Sequence, residues 1–194
     1  MRVLVACEES QVVTNELRKL GHEAYSCDIL PTSGNRPDWH LQQDVIPLLK
    51  KNWDMIIAFP PCTYLSAAGA CRLFQKGKLN EERYKKGLAG KAFFLSLLNA
   101  DCPRVAVENP VSLTIYKLPL YTQEIQPWQF GHPYTKKTRL WLSGLPCLQP
   151  TNIVEPLGPW VCSGRKDGGA AHHSLARSKT FIGIAKAMAE QWTK

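Results

Sequence analysis

Cys62 follows two prolines, which themselves follow the apolar run 55–59 (MIIAF). The run reads as a buried strand, closed where Pro60 and Pro61 remove two backbone donors and fix φ. Cys62 then sits just past the carboxyl end of a strand, the edge at which open α/β sheets bind ligands. A thiol held there is a candidate nucleophile. The plainer reading is a buried free cysteine at a strand end, because cysteine is among the most buried residue types. Glu108 ends a second apolar run, 104–107, and precedes Asn109-Pro110. Partial burial would raise its pKa and leave it protonated near neutral pH, able to donate a hydrogen bond; the alternative is a satisfied structural glutamate. Asp28 ends a third run, 23–27, where a carboxylate can accept from ribose hydroxyls. Aspartate is also common in loops.

The elements that must position these groups alternate. Residues 2–6 (RVLVA) form a β-branched strand pattern. Ser10 can cap a helix through Leu20, with Val13, Leu17 and Leu20 on one face and Gly21 as its stop. The strand at 23–27 completes a βαβ start with a right-handed crossover. Residues 31–40 read as loop, 45–49 as a short helix, and 71–78 as a mobile basic loop containing Gly77. The segment 81–99 is the most helical, with Leu88, Ala92, Leu95 and Leu98 on one face. A strand follows at 138–142. A last helix, capped by Ser178 or Thr180, runs through Gln191 with Ile184, Met188 and Trp192 apolar. This order predicts an α/β domain with a mostly parallel sheet.

The 194 residues suit one domain, 1–194, with no internal repeat; 146–176, dense in Pro and Gly, reads as an insertion. Hydrophobic content of 44% is globular rather than disordered, and no apolar run approaches the ~20 residues of a membrane span. The start MRVLVACEES does not read as a signal peptide, and seven scattered cysteines read as reduced thiols of a cytoplasmic protein. The net charge of +8 favours a polyanion, with cations at Lys76–Lys91, 136–139 and 165–179. A solvated lysine surface is the bland alternative. Cys147, Cys162, His172 and His173 fit no standard zinc spacing, so no metal is expected.

Four segments carry a resemblance. Residues 61–69 (PCTYLSAAG) resemble the catalytic proline-cysteine segment of the DNA cytosine-5 methyltransferases. Glu108-Asn109-Pro110 resembles that family's Glu-Asn-Val motif. Phe130-Gly131-His132-Pro133 with Lys137-Thr138-Arg139 resembles its aromatic-Gly-x-Pro run ending in two basic residues, and 181–185 (FIGIA) its last helix. All four occur in family order. The resemblance implies a Rossmann-like methyltransferase fold with helices on both faces of the sheet, and a monomer acting on a flipped cytosine in DNA with S-adenosylmethionine. It implies Cys62 as nucleophile on carbon 6, Glu108 as donor to ring nitrogen 3, and Arg139, with Lys137, on the base oxygen or adjacent phosphate. Asn109 would brace the Cys62 loop, with Pro61 and Ser66 lining the substrate site. Ala6, Cys7, Glu8, Glu9, Ser10 and Pro60 would border the cofactor, Asp28 its ribose and Asp44 its adenine amino group.

The chain also departs from the family. Its glycine-rich first loop is here Ala6-Cys7-Glu8-Glu9-Ser10, so Glu8 or Glu9 would meet the cofactor's ammonium group. Thr63 replaces a glutamine and Ile184 an asparagine, and only 146–176 lies where the target-recognition region belongs. The resemblance then implies low sequence specificity and a phage or mobile-element gene. The rivals are the same chemistry on a free deoxycytidine nucleotide or modified cytosine, and a DNA-binding homologue with a decayed site. An amino-methyltransferase ranks lower, because Phe59 and Cys62 occupy the outer positions of its acidic-Pro-Pro-aromatic signature.

Overall fold

The computed structural model describes residues 1–160 and 179–194. Seven strands form its main sheet: β1 (Arg2–Ala6), β2 (Glu23–Asp28), β3 (His40–Gln42), β4 (Met55–Ala58), β7 (Val105–Pro110), β8 (Gln123–Ile125) and β9 (Thr138–Ser143). Their order is β3-β2-β1-β4-β7-β9-β8. The pairs β3-β2, β2-β1, β1-β4 and β4-β7 are parallel. β9 runs antiparallel between β7 and β8. Five adjacent parallel strands followed by one reversed strand wedged before the last make this the Rossmann-like methyltransferase fold. Strand order reverses between β1 and β4, so their carboxyl ends diverge into a crevice.

Period-2 alternation feeds two cores. Val3, Val5, Met55, Ile57 and Ala106 pack on one face, against Val13 and Leu17 of α1 (Val12–Lys19) and Ile184, Met188 and Trp192 of α4 (Ile182–Trp192). Leu4, Ala6, Ile56, Ala58, Val105 and Val107 pack on the other, against Phe94 and Leu97 of α3 (Glu81–Leu98). Both sides of each central strand are therefore dry, which is why these runs read as continuous apolar stretches.

Several expectations change. α1 begins at Val12, not beside Ser10: its N-cap is Gln11 at φ 57, with no side-chain cap bond. Glu8 takes the orphan N–H groups of its first turn instead. α3 buries Gly87, Phe94 and Leu97, not the leucine face, and Leu88 is exposed. The reason is close approach: a Cβ at Gly87 would land in the Tyr116 ring, and Gly90 lies against Leu65. Two glycines carry no hydrophobic signal, yet they decide which face packs. Segment 71–78 is ordered as α2 (Ala70–Leu73) and a hairpin of β5 (Phe74–Gln75) and β6 (Lys78–Leu79). Its two-residue turn has both Lys76 and Gly77 at positive φ, the turn geometry that suits a twisted ribbon. The short strands β3 and β8 lie where the pattern predicts no strand; His40, the first residue of β3, ends the stretch that reads as loop. α4 starts at Ile182 with N-cap Phe181 and no side-chain cap; Thr180 does not cap it and Ser178 lies outside the described residues.

Candidate functional site

At the carboxyl end of β4, Phe59 N donates to Ala6 O at 2.9 Å, carrying the chain past the sheet edge into Pro60, which is buried, and Pro61, which is exposed. The Cys62 carbonyl then accepts from Leu65 N (3.1 Å) and Ser66 N (2.8 Å), forming a turn that leaves the thiol half-buried. The turn is tied on two sides. Ala67 N donates to Val111 O and Leu113 N to Leu65 O, both at 2.8 Å, docking it on the chain that leaves β7. Arg83 of α3 donates to Thr63 O at 2.8 Å and lies 4.9 Å over the Tyr64 ring. Ser66 Oγ accepts from Ala68 N, so this side chain shapes the loop.

β7 is the neighbour of β4, and Ala58 pairs with Val107, which puts Glu108 one step beyond the end of β4. Burial raises the Glu108 pKa, and Lys136 opposes that rise. Burial also pushes the Cys62 thiol up; the Glu108 charge adds to the rise and Lys136 lowers it. Cys62, Glu108 and Lys136 thus form one electrostatic cluster. A protonated Glu108 both gains donor capacity and removes the negative charge that suppresses the thiolate.

Arg139 is placed elsewhere. It pairs with Asn109 across β7 and β9, while Glu108 pairs with Leu140. Alternation therefore puts Arg139 on the sheet face opposite Glu108. Its Nε donates to Glu124 at 3.2 Å and its guanidinium lies 4.4 Å from the Tyr121 ring. Lys137 approaches the same Glu124 at 3.7 Å. The cation that reaches the Cys62 cluster is Lys136, which precedes β9 and is free of its alternation; in the sequence nothing sets it apart from the two basic residues that follow. Asn109 is fully buried, and its Nδ2 donates to Pro110 O (2.8 Å) and Ser112 Oγ (3.1 Å). It holds the chain on which the Cys62 turn docks.

The last two motifs meet each other. His132 Nε2 accepts from Gly183 N at 3.0 Å, and a Cβ at Gly183 would land on the Phe130 carbonyl. Burial lowers the His132 pKa, consistent with a neutral acceptor ring. The Phe181 ring packs at a tilt against His132 and Tyr134 and edge-on against Trp160.

A second cluster surrounds the carboxyl ends of β1 and β2. Cys7 follows Ala6 at φ 57, a left-handed conformation that a side chain adopts at a cost of about 1–2 kcal/mol. Burial drives its thiol pKa up, followed by the charges of Asp28 and, more weakly, Asp44. Cys7, Asp28 and Asp44 are thereby brought together. Asp28 Oδ1 accepts from Leu30 N, and beside it Ile29 is 74% exposed. Asp44 Oδ1 accepts from Ile46 N. Two acids with a remaining oxygen each and an adjacent exposed aliphatic face fit a nucleoside. Glu8 is not part of this cluster. It is buried, and its carboxylate accepts from Val13 N (2.6 Å), Thr14 N (3.2 Å) and Thr14 Oγ1 (2.7 Å), closing the first turn of α1. Glu9 Oε2 accepts from Ser33 N at 3.1 Å. Ser10 follows it, half-buried. The ammonium partner expected at Glu8 is thus turned inward as a helix cap.

Among the described residues no group of three His, Cys, Asp or Glu could hold a metal ion, and no helix is long and apolar enough to cross a membrane. Cys147 is exposed; Cys162, His172 and His173 lie outside the described residues.

No family profile matches the chain, and no curated protein does. Solved structures do. One, described as a putative DNA modification methyltransferase encoded within an Escherichia coli prophage, aligns at a TM-score of 0.47 and 13% identity, over 79% of this chain and 51% of that one. Another, an rRNA methylase from Escherichia coli, aligns at 0.39 and 16%, over 73% and 57%. The chain spans a little over half the length of these structures.

Proposed function

We propose that this chain methylates carbon 5 of cytosine in DNA through a covalent adduct on Cys62. What carries the reading is the convergence of Cys62 and Glu108 at the carboxyl ends of adjacent strands, with Lys136 acting on both. In this mechanism the Cys62 sulfur attacks carbon 6 of a cytosine turned out of the stack. Protonated Glu108 donates to ring nitrogen 3, drawing electron density from carbon 6 and stabilising the charge that develops on the ring. Lys136 stabilises the thiolate before attack and the anionic ring after it. S-adenosylmethionine supplies the methyl group for carbon 5. Asp28 and Asp44 would hold its nucleoside end, with Cys7 at the turn that follows β1. A solvent base, water or hydroxide, takes the carbon 5 proton; the C–H electrons re-form the carbon 5–carbon 6 double bond and the carbon 6–sulfur bond breaks, releasing Cys62 as thiolate. Arg72, Lys76 and Lys78, on and beside the β5-β6 hairpin that follows the Cys62 turn, offer cations for phosphates.

The test is a covalent trap. The protein is incubated with S-adenosylmethionine and DNA bearing 5-fluorocytosine, whose fluorine cannot leave as a proton does. A denaturation-resistant adduct is expected from the intact chain and from Cys71→Ala, and none from Cys62→Ala. Absence of adduct from the intact chain, under conditions where DNA binds, refutes the assignment. Adduct formed with a 5-fluorodeoxycytidine nucleotide but not with DNA moves the reaction to free nucleotides.

A further inference from the structure

Along the outer flank of α1 runs a cleft of about 750 Å³, bounded by the turn at Gly21-His22 and by the loop from Gly34 to Trp39. That volume lies in the range of small-molecule sites. Three cations line it, Arg18, Lys19 and Arg36, and one carboxylate, Glu16, which is paired with Lys19 at 2.6 Å. The two guanidiniums are differently placed. Each lies 4.9 Å from the Trp39 ring, and that of Arg18 also lies 4.8 Å from Tyr25. Arg18 Nε donates to Ala24 O at 2.7 Å. The loop carrying Arg36 is pinned by the fully buried Gln11, which donates to Arg36 O at 2.8 Å and accepts from Arg36 N at 3.2 Å. Gly34 permits this contact, since a Cβ there would land on the Gln11 side chain. Among the described residues neither Arg18 nor Arg36 forms an ion pair.

Two planar cations are thus held in position by an aromatic ring and by backbone, facing a cleft, with no anion of their own. Such guanidiniums suit phosphate oxygens, which they bind through paired N–H donors. Trp39 and the exposed Ile182 add an apolar surface for a base. We propose that this cleft is a second binding site, for a phosphorylated nucleoside unit. It is distinct from the Cys62 centre. From Val12 and the Gly34–Trp39 loop, which follow β1 and β2, it runs along α1 to His22, toward the edge where β1 and β2 begin, and none of Cys62, Glu108, Asp28 and Asp44 lines it. Binding here requires no chemistry at Cys62.

The nucleoside unit is either a free nucleotide or part of a single strand, and the experiment separates them. A fluorescein-labelled 12-mer of deoxythymidine is titrated by anisotropy between 50 and 300 mM KCl, with AMP as competitor. The Arg18→Gln/Arg36→Gln double variant is expected to weaken binding at least tenfold and to reduce the slope of log affinity against log salt by about 1.4, two contacts at about 0.7 each. Lys50→Gln, at an exposed cation that does not line the cleft, should bind as the intact chain does. Displacement by AMP identifies a mononucleotide site; no displacement, with binding lost in the double variant, identifies a strand site. Because Arg18 is half-buried, Arg36→Gln alone is measured with thermal melting alongside; Arg36 is exposed and its guanidinium rests on Trp39. Unchanged affinity in both variants, or no binding of either probe by the intact chain, overturns the proposal.

Discussion

Glu8 makes the fold itself pH-sensitive. Its carboxylate is buried beneath the first turn of α1, and burial raises its pKa from 4.5 to about 7 against three hydrogen bonds that lower it. The folded state therefore holds the Glu8 proton more tightly than the unfolded chain does. For an acid raised in this way the stabilisation is complete below the unfolded pKa, near 4.5, and is lost as pH rises through the folded pKa, near 7. Between pH 5 and 8 the loss comes to about 2–3 kcal/mol, taking about 1.36 kcal/mol for each pH unit between the two pKa values and removing the fraction already titrated at pH 5. Glu8→Gln keeps a neutral acceptor for Val13 N and cannot titrate. Urea unfolding of both proteins at pH 5, 6, 7 and 8 isolates the effect, because other carboxylates, Glu108 included, titrate in both. The stability of the intact chain relative to Glu8→Gln should fall by about 2–3 kcal/mol across this range, roughly 1 M in urea midpoint. A difference that stays flat would falsify the burial argument. A difference that rises with pH would show that the three hydrogen bonds outweigh desolvation.

Two further outcomes follow from the site. At a pH above the Glu108 titration, where its carboxylate suppresses the Cys62 thiolate, Glu108→Gln should speed alkylation of Cys62 by iodoacetamide, whereas Lys136→Met should slow it; peptide mapping reads the rate at Cys62, and changes of the same sign in both variants would break the cluster apart. Gly183→Ala drives a Cβ into the Phe130 carbonyl and within 3.1 Å of His132 Nε2, so it should destabilise the fold by about 1–3 kcal/mol despite the better helix propensity of alanine; unchanged thermal melting would show that α4 can move without cost.

Much of the scaffold was legible because the central strands are buried on both faces and so appear as unbroken apolar runs. β1 matches its predicted limits, and β4 and the α4 contacts at Ile184, Met188 and Trp192 lie where the pattern put them. Glu108 stood out for the same reason, as a polar residue that ends such a run, and Cys62 as a thiol held by two prolines just past one. The features that escaped depend on contacts distant in the chain. β3 and β8 are three-residue strands whose only signal is the partner they pair with. Gly87 and Gly90 turned the packed face of α3 because Tyr116 and Leu65 needed the room. The antiparallel register of β9 sent Arg139 to the far face and left Lys136, outside the strand, to reach the cysteine. Glu8 looked like a free acid in a loop; only the placement of α1 over that loop made it a buried cap. Residue types and spacing determined which groups could do chemistry here. Which face of the sheet each one serves was decided by pairing and packing, because one residue of register reverses a side chain's direction.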